Sequence, residues 1–100
     1  MSRMMESPAG KVEQLRSLYR QAGELEYELW NAAQSDPFAE LSPAHARVYN
    51  DYLRQARELL PHATMLHREA MEAEEEMLVS DVHRYLRVAV VPELHKALPE

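Results

Sequence analysis

Cysteine is absent from this 100-residue chain, and glycine stands only at positions 10 and 23. The first absence excludes disulfides, thiolate metal sites and cysteine nucleophiles, and is what a reducing compartment tolerates. The second excludes Gly-rich phosphate loops and dinucleotide fingerprints, which need several glycines in one short stretch, and no serine-nucleophile signature takes their place. Isoleucine is missing, and valine clusters near the C-terminal end. With β-branched residues this scarce and helix formers dominant, the composition predicts an all-α protein. Basic residues are in the minority, 11 against 17 acidic, for a net charge of −6. That balance argues against nucleic acid as a partner, because neutralising phosphates takes clustered Lys and Arg. No run approaches the ~20 apolar residues of a membrane span, and Met1 to Gly10 lacks the apolar core of a signal peptide, so no membrane partner and a cytoplasmic location are expected.

What the sequence has is helical periodicity. From Ser42 to Val91 no glycine occurs, and Pro61 is the one proline beyond the Ser42-Pro43 start. Tyr49, Tyr52, Ala56, Leu59, Ala63, Leu66, Ala70, Ala73 and Met77 recur at alternating spacings of three and four, the a/d seam of a coiled coil. Residues on both sides of Pro61 share one heptad frame, and no Gly, Asn, Asp or Ser lies between Tyr52 and Val79 to build a turn. A kinked but continuous helix over residues 43–91 is therefore predicted, the alternative being a break with a tight corner at Pro61. Pro92 should kink or end it, with a short turn or helix over 92–98.

Upstream, Ser7-Pro8 is a helix start, and a first helix is predicted over residues 8–34. Its seam is Leu15, Leu18, Ala22, Leu25, Leu29 and Ala32, widened by Val12, Tyr19 and Ala33. Residues 35–42, with Ser35-Asp36-Pro37 and Ser42-Pro43, form the connection, and Phe38 with Leu41 is expected to seal that end of the core. The predicted architecture is one all-helical domain, an antiparallel hairpin whose long second helix is completed by a second subunit as a dimeric bundle. A helix of that length would extend ~70 Å against ~40 Å for the first, leaving an overhang for the second chain to cover. A monomeric three-helix bundle with a corner at Pro61 is the alternative.

Candidate chemistry is sparse. Gly23, Tyr27, Trp30 and Gln34 follow one another at helical spacing off the leucine seam, and two large aromatics there suit either intramolecular cover or an interface. Glu69, Glu72 and Glu76 would share one face of the long helix, in a stretch from Glu69 to Asp81 that holds six acidic residues and no basic one. A solvated acidic face, available to a basic protein partner, is the expectation there. The five histidines have neither a His at i+3 or i+4 nor a Glu three residues before them; only Glu58 and His62 are spaced i,i+4. No metal or cofactor is expected.

Leu18-Tyr19-Arg20 resembles the tripeptide shared by the mitochondrial LYR proteins, small three-helix proteins that bind acyl carrier protein and assist assembly of other complexes. That family tends to be basic whereas this chain is acidic, and the helix seam already accounts for Leu18 and Tyr19, so the tripeptide assigns no family. The sequence thus points to a non-catalytic interaction module, a homodimer acting through Tyr27 and Trp30 or through Glu69, Glu72 and Glu76. The alternative is a small-ligand- or metal-binding helical bundle with a pocket at Pro61 lined by Met65, Leu66, Tyr52 and the first helix.

Overall fold

The computed structural model describes residues 8–68, 71–74 and 77–99, with side chains from Gly10 onward. Among them the protein is all-helical with three helices and no strand. The first, α1 (Pro8–Ser35), is 28 residues long and lies along a molecule measuring 50 × 25 × 22 Å. Its seam is Leu15, Leu18, Ala22, Leu25 and Leu29, all buried, with Ala32 half-buried. That stripe is covered by α2 (Pro43–Leu59) and, beside it, by a third helix made of α3 (Val79–Tyr85), a wide π turn (Leu86–Val90) and α4 (Val91–Ala97).

Local chemistry sets the ends. Ser42 caps α2, its hydroxyl accepting from the His45 N–H at 3.1 Å, and Pro43 fills a first-turn position that needs no donor. At the start of α3 there is no Ser or Thr to do this, and Asp81 reaches back to accept from the Leu78 N–H at 3.2 Å. The π turn answers Pro92. A proline there cannot donate to the carbonyl of Val88 and its ring would crowd it, so the preceding turn widens and Val91 donates five residues back, to Leu86. The helix passes through Pro92 without ending, with Leu86 and Val91 both in helical conformation.

The continuous helix over 43–91 is not formed. α2 stops at Leu59, Leu60 leaves the helical region at φ −126°, ψ 67°, and the chain corners at Pro61. A proline pushes the residue before it away from helical geometry, which explains the stop. The missing turn residues matter less than expected because side chains of α2 supply the hydrogen bonds that the returning backbone needs. Arg57 donates from Nε to the Leu66 carbonyl at 2.5 Å, from Nη2 to that of Arg68 at 2.7 Å, and pairs through Nη1 with Glu72 at 3.1 Å. The buried Tyr49 hydroxyl donates to the Met71 carbonyl at 2.7 Å. Asn50 both donates to the Ala73 carbonyl at 3.2 Å and accepts from its N–H at 2.8 Å. Between these anchors a short 3₁₀ turn (Thr64–Leu66) buries Leu66 in the core.

The dimer inferred from helix length loses its premise, since no ~70 Å helix exists to leave an overhang. The corner lets the chain return beside α2, and α1 receives its second covering helix from the same chain. Phe38 does not seal the core: it is 79% exposed, while Leu41 is half-buried. The connection is fixed instead through its backbone, with Leu41 N–H donating to Met77 at 2.8 Å and Val79 N–H donating to Ala39 at 2.9 Å.

Asn50→Ala should destabilise the fold by about 1–3 kcal/mol, because both Ala73 backbone groups lose their partner, and urea denaturation followed by circular dichroism measures this. Unfolding that matches wild type would show that the return segment does not depend on this anchor. Tyr49 adds a pH dependence. Burial, with smaller contributions from Tyr85 and Glu72 against the opposing Arg57, pushes its phenol well above the ordinary value. The folded state keeps the proton that the unfolded chain gives up above about pH 10, so the Tyr49 contribution is fully present below that pH and is lost as pH rises beyond it. Tyr49→Phe should be less stable near neutrality and lose less stability on passing to high pH, read by denaturation at stepped alkaline pH.

Candidate functional site

On the outer side of α1, away from the core seam, Tyr27 is 63% exposed and Trp30 is 41% exposed. Their spacing of three residues brings the rings together, with centroids 6.5 Å apart and planes 17° from parallel. The pair is thus preformed on the 28-residue α1. One turn before it stands Gly23, where an added Cβ would meet nothing within 4 Å. A glycine inside a helix costs up to ~1 kcal/mol relative to alanine, and packing within this chain offers no return for it.

Of the acidic group, only Glu72 is among the described residues. Glu72 lies outside any α-helix, in the segment returning along α2, and is paired with Arg57. Glu69 and Glu76 lie outside the described residues. The expected shared helix face is therefore absent at Glu72, and the reason is the corner at Pro61. Neighbouring charges are also engaged with one another. Asp51 accepts from Arg54 and from Gln55 Nε2, the latter at 2.7 Å, and Arg54 also reaches Glu58 at 3.3 Å. The bond from Arg54 holds the Asp51 carboxyl below its ordinary range, and the same bond raises the guanidinium. The groove of about 510 Å³ between α2 and the return segment is lined by the charged side chains among these together with Asn50 and Leu53.

Four of the five histidines have individual partners. His83 Nε2 is 2.6 Å from Glu26 Oε2 and joins the third helix to α1, while the His95 ring packs 5.6 Å from Tyr19. His45 lies 3.8 Å from Glu28 and His67 contacts the Leu60 carbonyl. Among the described residues no three His, Cys, Asp or Glu side chains are grouped to hold a metal ion, and no helix is long and apolar enough to cross a membrane.

The pocket expected at Pro61 does not form from the residues named for it. Leu66 is core, and Tyr52 sits on the α1 side of α2, its phenol raised by partial burial and then by the charges of Glu24, Asp51 and Glu28. Met65 instead lines a groove of about 380 Å³ with Met71, Tyr85, Val88 and Ala89, and with Arg68 and Arg84. The sequence reading missed the anchoring roles of Asn50 and Arg57. A signal was available, since both project from α2 at the i,i+7 spacing of one face.

Compared with known proteins, the chain matches no family model, no curated protein and no solved structure at a significant level.

The contrast between two neighbouring positions gives a measurement. Gly23→Ala should raise the stability of the monomer by up to ~1 kcal/mol, since the methyl enters open space and the helix gains propensity. Leu25→Ala, two residues on but in the buried seam, should cost ~2–5 kcal/mol. Thermal and urea unfolding at low protein concentration test both; a Gly23→Ala variant less stable than wild type would mean that the glycine serves the monomer's own packing.

Proposed function

We propose that this protein is a non-catalytic interaction module of the cytoplasm, self-associating and acting through the Tyr27–Trp30 face of α1. The observation that carries the reading is the stacked, solvent-facing aromatic pair on a helix whose opposite side is fixed in the core. Trp and Tyr are the residues that most often dominate binding energy at interfaces, and on a rigid helix they lose little freedom on binding. The aromatic face is favoured over the acidic one because Glu72 is already paired with Arg57. Supporting a non-catalytic role, the polar side chains nearest the core are taken up in structural contacts: Tyr49, Asn50 and Arg57 on the return segment and His83 on Glu26.

One observation favours a second reading, the binding of a small amphiphile. The groove of Met65, Met71, Tyr85, Val88 and Ala89 is apolar, and Arg68 and Arg84 at its rim suit a carboxylate head group. A native mass spectrum of freshly purified protein would show a retained anion of this kind, and loss of its mass in Arg84→Ala would place it in this groove.

For the leading reading, Trp30→Ala should leave the circular dichroism spectrum and melting curve close to wild type. Self-association, followed by sedimentation across a concentration series, should weaken by ~2 kcal/mol or more. If the variant instead unfolds as Leu25→Ala does, with association unchanged at equal folded fraction, Trp30 belongs to the fold and the interaction reading fails.

A further inference from the structure

Extended toward the N-terminus, the stripe that carries the aromatic pair reads Arg16, Arg20, Gly23, Tyr27, Trp30 and Gln34, at spacings of four, three, four, three and four. These positions form one stripe in heptad register, rotated by roughly 140° from the buried seam, as follows from 100° per residue, with its ring surface at Tyr27 and Trp30. All its members are exposed except the half-exposed Gly23. Between Arg16 and Gln34 no acidic residue stands on it, in a chain of net charge −6; the next position at the same spacing toward the N-terminus is Glu13, 3.8 Å from Arg16. Two stacked, exposed rings one turn from an open glycine position, on a solvent-facing side of a helix, form a surface suited to another helix.

Resting on the proposed interaction role, we propose that the partner is a second copy of this chain, with α1 packed antiparallel on α1 of that copy along this stripe. In an antiparallel pair each a position faces a d position of the other helix, and the sequence fits that register throughout. Tyr27 falls on Gly23 of the second copy, where the missing side chain leaves a hole for the ring. Trp30 falls on Arg20, whose guanidinium stacks on the indole. Gln34 falls on Arg16, which can donate to the amide oxygen at the rim. The only ion pair of Arg16 among the described residues is a 3.8 Å contact with Glu13, both side chains well exposed, so little is given up to reach the new position. Two-fold symmetry makes every contact twice. A parallel pairing would instead set Arg16 on Arg16 and Arg20 on Arg20 and leave a void between the two Gly23 residues, so the composition of the stripe selects the antiparallel arrangement.

The contact spans about 27 Å of helix, at the small end of specific interfaces, so a weak dimer is expected. Each copy carries −6, and added salt should therefore tighten it.

The cysteine-free sequence permits a clean test, with sedimentation and oxidative cross-linking read together on the full chain. Arg16→Cys and Gln34→Cys chains, mixed and oxidised, should give a disulfide-linked pair containing one of each. Gln34→Cys alone should not link, because its two copies lie about 27 Å apart in the antiparallel arrangement. Gly23→Leu should weaken association at least tenfold with an unchanged circular dichroism spectrum, whereas the same substitution has open space in the monomer. Self-linking of Gln34→Cys without the mixed product, or full association of Gly23→Leu, would overturn the antiparallel pairing while leaving a Trp30-dependent interaction intact. Association that ignores Trp30→Ala overturns the underlying reading itself. A wild-type chain that remains at 11.6 kDa up to its solubility limit overturns the dimer.

Discussion

The fold depends on how the backbone between α2 and α3 meets its hydrogen-bonding needs. That stretch must leave one helix and cross back to begin another, with few turn residues to shape it and little regular structure of its own. Three side chains of α2 do most of this: Tyr49 and Asn50 at its middle, and Arg57 near its end, hold the carbonyls or amides of Leu66, Arg68, Met71 and Ala73. A buried peptide group without a partner costs about 1–3 kcal/mol, so these contacts decide whether the return path is stable at all. Once the path is fixed, Leu66 and Met71 enter the core, and the third helix is delivered to the open side of α1.

From that constraint the rest is packing. α1 has more apolar surface than one helix can cover, and α2 and the third helix flank its leucine stripe from two sides. The ladder-like bonds between residues 39–41 and 77–79 tie the α1–α2 connection to the entry of α3, so the two chain reversals brace each other. The 2.6 Å contact of His83 with Glu26 and the packing of His95 on Tyr19 join the third helix to α1 at two levels.

The helical class and the buried face of α1 were legible in the sequence, because both follow from periodicity that the structure only has to obey. The path after Leu59 was not. Heptad phase across Pro61 suggested continuity, yet Leu66 reaches the core from a 3₁₀ turn rather than from a helix. A repeat of apolar residues records burial, and burial can be met by more than one backbone. Absence of turn residues was a weak guide for a related reason, since Asn50 and Arg57 do at a distance what local turn chemistry does elsewhere, and long-range side-chain bonds leave no short spacing to read. Phe38 shows the opposite error: an apolar residue beside a helix end was assigned to the core, whereas the backbone bonds of the loop had already closed that end. For the candidate site, the aromatic stripe was visible as a second periodicity on α1, while Glu72, the described member of the acidic group, stands on no helix and is paired with Arg57.

Gly23 connects the two sides of α1. The helix is held by its seam, so a flexible residue at its middle is tolerated rather than needed, and the space around it in the monomer is empty. A propensity cost of up to ~1 kcal/mol is a noticeable fraction of the stability of a 100-residue domain. Tyr27 and Trp30 carry their own cost, since apolar ring surface faces water. These two unfavourable features stand on one stripe, one turn apart, and they are complementary in shape: a missing side chain and a projecting ring. Within one chain they cannot meet, because both point outward from the same face. Between two antiparallel copies each relieves the other, and the arginines that complete the stripe then lie over rings and amides instead of over one another.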